Sequence, residues 1–377
     1  MPECRYRTWV EISRSRLVAN YRAICDLVGP QVTVMPVVKA DAYRHGAVEV
    51  SRTLEQAGAR WFAVSSVEEG VALRQAGIRA RILVMADFLP FEREALLEFD
   101  LTPVIHRLED LAAWERMAER YGRQLSFHLK LDTGMGRLGI REPAEAIIAA
   151  LKRCPSLNFE GLMTHFASAA HYDTPQTEQQ LARFKAVAEQ LAAVGFRPRY
   201  QHLAATVPIA YGRKETWGNM VRPGQAIYGY ISPVRGPAPA PLLKVEPVLT
   251  WKATVLDVKE LPAGSPVGYG AMYWTTRPTR LGILTVGYGD GYPHRLSNRG
   301  RVIAAGRIVP VLGAVSMDLT AVDLTHAPEV RPGDAVTLLG REGRVSVDAH
   351  WIAKASGTIS YNVLCSISSR VSRVYVD

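Results

Sequence analysis

The chain has 377 residues, of which 48% are hydrophobic and 21% charged, a balance typical of a globular enzyme that buries a substantial core without cross-links. Its formal net charge of +9 would suit a nucleic acid, but the basic residues are spread among acidic ones and form no known nucleic-acid-binding motif. We therefore expect no nucleic-acid partner. The positive charge is compatible with an anionic cofactor and carboxylate substrates.

The first residues carry no apolar segment of the kind found in secretory signals, and no apolar run approaches the length of a membrane span. The four cysteines, Cys4, Cys25, Cys154 and Cys365, are widely spaced and match no pattern of metal ligands. We therefore expect a cytoplasmic protein with reduced thiols, without a metal site and without a membrane association.

Residues 12–235 are predicted to form a (β/α)8 barrel, because short apolar runs alternate there with helical patterns. Residues 15–27 are predicted to form the opening helix. Residues 67–75 are predicted to form another, because Ser66 just before them and Glu69 in their first turn have the spacing of a capping box. Residues 177–194 carry a third helical pattern. The eight predicted strands are residues 32–38, 61–65, 81–85, 103–105, 126–131, 158–163, 200–203 and 226–228.

The segment 236–241 marks the end of the barrel pattern, because its clustered prolines can continue neither a helix nor a central strand. Residues 236–377 are predicted to form a mostly β C-terminal domain. We expect residues 1–11 to pack with it, since residues 6–12 alternate like a strand. The strands predicted in this domain are residues 248–256, 281–286, 301–304, 309–312, 320–324, 335–339 and 369–376.

Lys39 stands where a buried parallel strand is predicted to end and an exposed turn to begin. An ammonium group there is costly to desolvate unless it is paired, deprotonated or converted to an imine. A lysine that merely extends to solvent at the rim of the sheet is the alternative interpretation. Lys39 is therefore a candidate for covalent attachment of a cofactor.

The segment that contains Lys39, KADAYRHG (residues 39–46), resembles the cofactor-lysine signature of the bacterial alanine racemases, a family that holds pyridoxal 5′-phosphate as a Schiff base on this lysine. Seven further blocks follow in the family's order and extend the resemblance over almost the whole chain. They are residues 129–139 (LKLDTGMGRLG), 164–167 (THFA), 221–224 (VRPG), 267–270 (VGYG), 286–293 (VGYGDGYP), 316–318 (SMD) and 357–361 (GTISY).

The resemblance implies racemisation of alanine by a two-base mechanism, which would supply D-alanine for peptidoglycan. Racemisation requires one group that removes the α-proton on one face and another that returns a proton on the other face. The resemblance assigns Lys39 as the base toward D-alanine and Tyr269 as the base toward L-alanine. Tyr269 would reach the active site of the opposite subunit of a homodimer, and Met317 and Asp318 would line the substrate pocket from the same partner.

The resemblance also places Arg222 beside the pyridine nitrogen of the cofactor. A permanent cation there disfavours protonation of that nitrogen, which suits racemisation better than transamination. His165 would share a hydrogen-bond network with Arg222. Arg137 would contact the substrate carboxylate and a cofactor oxygen, and Lys130 is a candidate for carbamylation, which would turn it into an anion that orients Arg137.

The phosphate of the cofactor would be bound by Tyr43, Thr206, the amide region of Gly224, and Tyr361. Backbone N–H groups beside a glycine can approach an anion closely, which gives Gly224 a physical role. The Ala-Thr pair that ends at Thr206 stands where Asn-Ser is frequent in the family, but it retains the hydroxyl group that a phosphate needs.

Tyr288 and Tyr292 are predicted to line the entrance to the site, with exposed turn tyrosines as the alternative. Two further functions remain open, a racemase of broader specificity and an amino-acid decarboxylase with the same two-domain architecture. Such decarboxylases usually carry an acidic residue near the ring nitrogen and a reactive cysteine in the loop from the partner. This chain has Arg222 and Tyr269 in the corresponding roles.

Overall fold

The computed structural model describes residues 6–86 and 88–377, so Cys4 lies outside the described residues. The chain divides into two compact units. Residues 17–42 and 47–246 form the barrel unit, and the described residues up to Arg16, residues 43–46 and residues 247–377 form the β unit. The domain boundary predicted at residue 236 is not tested by this division and stays a prediction.

Strand β1 (Thr8–Ser13) belongs to the β unit, and the next eight strands close a ring in the barrel unit. Strands β3 to β8 form a parallel sheet in chain order, and β2 pairs in parallel with β9. A parallel bridge between Val37 and Ala63 joins the segment after β2 to β3, and the N–H of Arg222 donates to the carbonyl of Ala204 between the ends of β9 and β8. This ring confirms the predicted (β/α)8 barrel. Its strands are β2 (Thr33–Val34), β3 (Trp61–Val64), β4 (Arg81–Val84), β5 (Thr102–Ile105), β6 (Leu125–Lys130), β7 (Leu157–Met163), β8 (Tyr200–His202) and β9 (Met220–Val221).

The helices between β1 and β9 follow the predicted alternation. The helix predicted over residues 67–75 has those bounds in the structure, and its capping box is formed, with Ser66 and Glu69 bonded to each other's backbone N–H groups. No helix of the described residues has the length and apolar character that crossing a membrane requires. The helices are α1 (Arg14–Val28), α2 (Lys39–Arg44), α3 (Ala47–Gln56), α4 (Val67–Gln75), α5 (Arg93–Glu98), α6 (Leu108–Tyr121), α7 (Ala144–Lys152), α8 (Gln176–Ala193) and α9 (Thr206–Ala210).

The prediction of the eighth barrel strand at residues 226–228 is wrong. Gln225–Tyr228 forms a 3-10 helix, and the two residues of β9 take the place of the strand. A short apolar run that is buried on all sides shows no periodicity that could distinguish a strand from a helical turn. The first predicted strand is shortened to β2, and Pro36, which has no N–H to donate, interrupts it before Val37.

The β unit is built on a nine-stranded sheet in the order β18-β17-β14-β15-β16-β13-β10-β1-β19, with a further pairing between β17 and β10. Strand β1 lies between β10 and β19, which confirms the strand predicted over residues 6–12. A small hairpin of β11 and β12 and two helices complete the unit. Its elements after β1 are β10 (Leu249–Leu261), β11 (Pro266–Val267), β12 (Tyr273–Trp274), β13 (Thr279–Leu284), β14 (Arg301–Ala304), β15 (Arg307–Leu312), β16 (Thr320–Asp323), β17 (Ala335–Glu342), β18 (Val345–Val347), α10 (Ala349–Ser356), α11 (Ser360–Cys365) and β19 (Ser372–Val376).

The two helices of the β unit were not predicted, although α10 carries ordinary signals at both ends. The carboxylate of Asp348 caps it by accepting the N–H of Trp351 at 2.7 Å, and Gly357 ends it with φ +68°. The core of the unit is centred on Trp251, which is fully buried and whose ring meets that of Tyr292 edge to face at 5.9 Å. The cysteines at 25, 154 and 365 form no disulfide with one another.

Candidate active site

Lys39 opens α2, a helical turn of the left-handed kind. The five residues after it, 40–44, all have φ between +52° and +66°. This hand costs about 1–2 kcal/mol per residue for L-amino acids, so the surroundings must hold the turn in place. The N–H of Ala40 donates to Glu69 Oε1 at 2.6 Å, and the N–H of Ala47 donates to Asp41 Oδ1 at 2.8 Å. Strain of this kind concentrates at functional sites.

Glu69 joins the Lys39 turn to the start of α4. Its Oε2 accepts the N–H groups of Ser65 at 2.7 Å and Ser66 at 3.4 Å, while its Oε1 holds Ala40. One carboxylate thus caps a helix and anchors the residue that follows the lysine. The cap could be predicted from the spacing of Ser66 and Glu69, whereas the contact with Ala40 leaves no local signal in the sequence.

We expect Glu69→Ala to lower the free energy of unfolding by about 1–2 kcal/mol, because the helix loses its cap and Ala40 loses its acceptor. Urea unfolding of the variant measures this loss. The matched control is Glu68→Ala, since Glu68 is exposed on the same turn of α4. An equal loss of stability in the two variants would contradict the role of Glu69.

Four cations gather around His165 at the carboxyl ends of the barrel strands. Removal from water, and then the charges of Arg222, Lys130, Arg137 and Lys39 in that order of effect, together lower the pKa of His165 to about 3. His165 is therefore neutral near pH 7, and the surrounding site is electropositive. Such a site attracts an anion.

Lys130 is the most buried of the lysines in this cluster, with 4% of its surface exposed at the end of β6. Among the described residues its ammonium has no hydrogen-bond acceptor or ion-pair partner. Burial and the neighbouring charges of Arg137 and Arg222 lower its pKa to about 8. An isolated buried ammonium is costly, which points to an anionic group or a modification at this position.

The loop that carries Arg137 is organised by Asp132. One oxygen of its carboxylate accepts the N–H groups of Gly134, Met135 and Gly136 at 3.1, 2.8 and 3.0 Å. Both of these glycines have positive φ, at +141° and +71°, which explains why glycines flank this part of the motif. Arg137 itself is exposed, so its guanidinium is available to a bound ligand.

Arg222 is almost fully buried and is held by four acceptors. It donates to the carbonyl oxygens of Thr164 at 2.7 Å, His202 at 2.5 Å and Leu203 at 3.0 Å, and to His202 Nδ1 at 2.8 Å. Its Nη2 lies 3.5 Å from His165 Nδ1, so the structure contains the contact expected between these two residues. Burial lowers the pKa of Arg222 to about 9, which still leaves it a cation at pH 7. The site therefore has a fixed, oriented positive charge.

Thr206 and Gly224 also come together in the barrel unit. The Thr206 hydroxyl oxygen accepts the N–H groups of Gly224 and Ala226, each at 3.2 Å, and Thr206 is 3% exposed. A hydroxyl group and two amides thus meet at one point. This is the donor set that binds a phosphate oxygen.

Tyr43 and Tyr361 lie side by side in the β unit, with ring centroids 6.0 Å apart. Burial, and then the neighbouring phenol of Tyr361, raise the pKa of Tyr43, so its hydroxyl group stays protonated at any physiological pH. The two residues are far apart in sequence. The fold of the β unit brings them together.

Tyr269 lies at the tip of the β11–β12 hairpin, between Gly268 and Gly270, and is 78% exposed. Met317 is 53% exposed. Both side chains are therefore accessible to a partner. The carboxylate of Asp318 is oriented by Arg370, whose Nη2 donates to Asp318 Oδ1 at 2.6 Å.

Arg370 is an organising residue that sequence analysis missed. Besides Asp318 it binds the buried carboxylate of Asp290 at 2.7 Å, and Asp290 in turn accepts the N–H of Gly287. The arginine thus ties the block that ends at Asp318 to the block at residues 286–293. Its distance from both blocks in sequence left no local signal.

The two predicted entrance tyrosines differ in exposure. Tyr288 is 45% exposed and its ring contacts His294, whereas Tyr292 is 1% exposed and packs in the core of the β unit. The alternative of an exposed turn tyrosine is therefore wrong for Tyr292. A role at an entrance stays a prediction for both residues, and burial does not favour it for Tyr292.

Comparison with known proteins extends the similarity to both units. Family models of the alanine racemase N-terminal domain and the alanine racemase C-terminal domain match residues 12–233 and 248–375. A protein named alanine racemase from Halothermothrix orenii is 40% identical over 98% of this chain and 96% of its own length. A protein named alanine racemase from Symbiobacterium thermophilum is 42% identical over 98% of this chain and 97% of its own length.

Solved structures show the same similarity. Alanine racemase from Clostridium difficile 630 in complex with cycloserine superposes with a TM-score of 0.90 at 30% identity, covering 99% of this chain and 96% of that chain. Alanine racemase from Bartonella henselae with covalently bound pyridoxal phosphate superposes with a TM-score of 0.87 at 28% identity, covering 98% and 100%.

Proposed function

This chain belongs to the alanine racemase family, and we propose that it interconverts L-alanine and D-alanine with pyridoxal 5′-phosphate bound through Lys39. The observation that carries the proposal is the group of four cations around the neutral His165, which suits an anionic cofactor and an amino-acid carboxylate. The relative from Bartonella henselae holds covalently bound pyridoxal phosphate, which supports this choice of cofactor. The product D-alanine would serve peptidoglycan synthesis in the cytoplasm.

The residues of the barrel unit fit this cofactor. The hydroxyl group of Thr206 and the amide of Gly224 suit its phosphate. The family pattern adds the phenols of Tyr43 and Tyr361, which belong to the β unit. The fixed cation of Arg222 suits an unprotonated ring nitrogen. When bound, pyridoxal phosphate supplies an electron sink that acidifies the Cα–H bond of the amino acid.

Proton transfer is assigned to two groups on opposite faces of Cα. Lys39 Nζ removes or returns the proton on one face, and the phenol oxygen of the partner subunit's Tyr269 does so on the other. A homodimer is therefore part of the proposal, and the 78% exposure of Tyr269 supports it, because the phenol is available to a second copy. A phenol acts as a base only as its anion, and the cation of Arg137 is suited to stabilise that anion.

Substrate binding is assigned to Arg137, with Met317 and Asp318 of the partner subunit lining the pocket. The guanidinium of Arg137 would bind the carboxylate of the amino acid. The Asp318 carboxylate accepts a hydrogen bond from Arg370, which orients this side chain. Tyr288 would line the approach to the pocket.

Lys130 is assigned as a carbamylated lysine. Because the pKa of Lys130 is about 8, this side chain is the neutral amine in roughly a tenth of the molecules at pH 7. The amine nitrogen adds to the carbon of CO2 and releases a proton, and the resulting carbamate is an anion that would bind and orient Arg137.

We expect 13C-labelled bicarbonate to give a carbamate signal in the NMR spectrum of the enzyme, and Lys130→Met to lack it. This variant should lose about 10- to 100-fold in kcat/KM, the value of one charge-assisted hydrogen bond. Lys152→Met, at an exposed lysine of α7, is the control for general labelling. A signal that persists in Lys130→Met would exclude this assignment.

The proposed reaction is distinguished from its alternatives by two assays on one preparation. Loss of optical rotation from L-alanine measures racemisation, and release of CO2 from a panel of basic and acidic amino acids measures decarboxylation. We expect racemisation of alanine without CO2 release. Release of CO2 without racemisation would refute the proposal, and rapid racemisation of serine and larger amino acids would establish the broader racemase instead.

A further inference from the structure

A chain of polar side chains, buried except for that of Arg81 at its far end, runs through the barrel from Arg222. His202 Nδ1 lies 2.8 Å from Arg222 Nη1, and His202 Nε2 lies 2.7 Å from His128 Nδ1. His128 Nε2 faces Glu160 Oε2 at 3.8 Å, and Glu160 forms an ion pair with Arg81. Both histidines are fully buried. We call these five residues the barrel polar chain.

The direction of the hydrogen bonds follows from the donors. A guanidinium can only donate, so His202 Nδ1 must be an acceptor. Burial and the charge of Arg222 lower the pKa of His202 well below its usual value, so its single proton lies on Nε2 and is donated to His128 Nδ1. Burial also lowers the pKa of His128, whose proton then lies on Nε2, facing the carboxylate of Glu160. Each histidine is thereby restricted to one tautomer.

Two features of β6 and β7 build this chain. The register shifts between Phe127, which pairs with Phe159, and His128, which pairs with Gly161, so Glu160 is the extra residue of a β-bulge. A bulge redirects side chains, and here the carboxylate comes to face His128. A Cβ on Gly161 would lie 2.3 Å from His128 Nδ1, so the ring occupies space that glycine leaves open. The sequence at both positions thus makes room for His128.

We propose that His128 is a positioning residue for the racemase reaction. By accepting the proton of His202 Nε2 it keeps His202 Nδ1 free to accept from Arg222, and it so maintains the orientation of the Arg222 guanidinium toward the ring of the cofactor. Glu160 supports this arrangement, because its negative charge favours the proton on His128 Nε2. The inference depends on the proposed function for the reaction and the cofactor, whereas the tautomers depend on the geometry alone.

Removal of the acceptor at residue 128 would reverse this arrangement. With no partner for its Nε2–H, His202 would move its proton to Nδ1 or rotate, and an Nδ1–H would oppose the N–H of Arg222. Arg222 would keep its three carbonyl acceptors, so it would shift rather than leave the site. Small displacements of a positioning group cost up to about 100-fold in rate.

The test uses the holoenzyme with histidine labelled by 15N, whose NMR signals report which nitrogen of His202 carries the proton. Three variants are compared with the wild type: His128→Leu, which removes the acceptor; His128→Asn, whose amide oxygen can replace Nδ1; and Gly161→Ala, which displaces the ring. Phe127→Leu is the matched control, because it truncates a fully buried side chain on the same strand without altering the barrel polar chain.

We expect the proton on His202 Nε2 in the wild type, His128→Asn and Phe127→Leu. In His128→Leu and Gly161→Ala we expect that form to be lost and kcat to fall about 10- to 100-fold, with KM changed less. A proton on Nδ1 in the wild type would overturn the proposal, as would a kcat in His128→Leu equal to that of the control. If His128→Leu fails to fold, Gly161→Ala and the wild-type tautomer still decide. Absence of racemase activity in the wild type would refute the proposed function and leave the tautomer result standing.

Discussion

Replacement of Lys39 by alanine is expected to abolish racemisation of alanine, with a loss of at least about 10⁴-fold in kcat. The side chain is both the proposed anchor of the cofactor and the proposed proton carrier on one face of Cα, so the variant loses both roles at once. Activity is measured from L-alanine and from D-alanine. The absorbance of lysine-bound pyridoxal phosphate, at about 420 nm, should disappear together with the activity.

Lys152→Ala, at the exposed lysine of α7, is the control for this experiment and should keep both the activity and the absorbance. Thermal unfolding of Lys39→Ala without cofactor shows whether the left-handed turn survives the change. An absorbance near that of the wild type in Lys39→Ala would place the cofactor on another residue and refute the assignment.

Tyr269→Phe is expected to lower kcat by about 10²- to 10⁴-fold in both directions, because racemisation needs a proton carrier on each face. Exchange at Cα should become one-sided. In D2O, uptake of deuterium from D-alanine should continue, since Lys39 serves that face, while uptake from L-alanine should be lost. Mass spectrometry of each recovered enantiomer measures the exchange, and Tyr273→Phe in the same hairpin is the control.

Mixing the two inactive variants tests whether Tyr269 acts across subunits. A dimer of one Lys39→Ala subunit and one Tyr269→Phe subunit contains one intact site if each tyrosine serves the partner, and none if each serves its own chain. Refolding equal amounts together should therefore restore about a quarter of the wild-type activity. No recovery, together with proven formation of mixed dimers, would contradict the shared site.

Local patterns in the sequence were sufficient for much of the fold. The capping box of Ser66 and Glu69 located α4 because both partners lie within one helical turn, and seven of the predicted barrel strands lie where the apolar runs indicated. The family blocks identified Lys39 and the cations that gather with it. Each of these inferences used residues close in sequence or a motif that can be read directly.

Only the tertiary structure decided the features that depend on distant contacts. The eighth strand has two residues and is defined by its pairing with β2, so its own sequence carried too little signal. The left-handed turn after Lys39 contains no glycine or asparagine from which it could be predicted. The carboxylate of Glu69, which accepts the N–H of Ala40, helps to hold it. His128 and His202 are 74 positions apart, and they meet because β6 and β8, the strands on either side of β7, both carry them into the interior of the barrel. Local preferences can be read from the sequence, because they depend on neighbouring residues. Contacts between residues that are distant in sequence form only when the barrel closes.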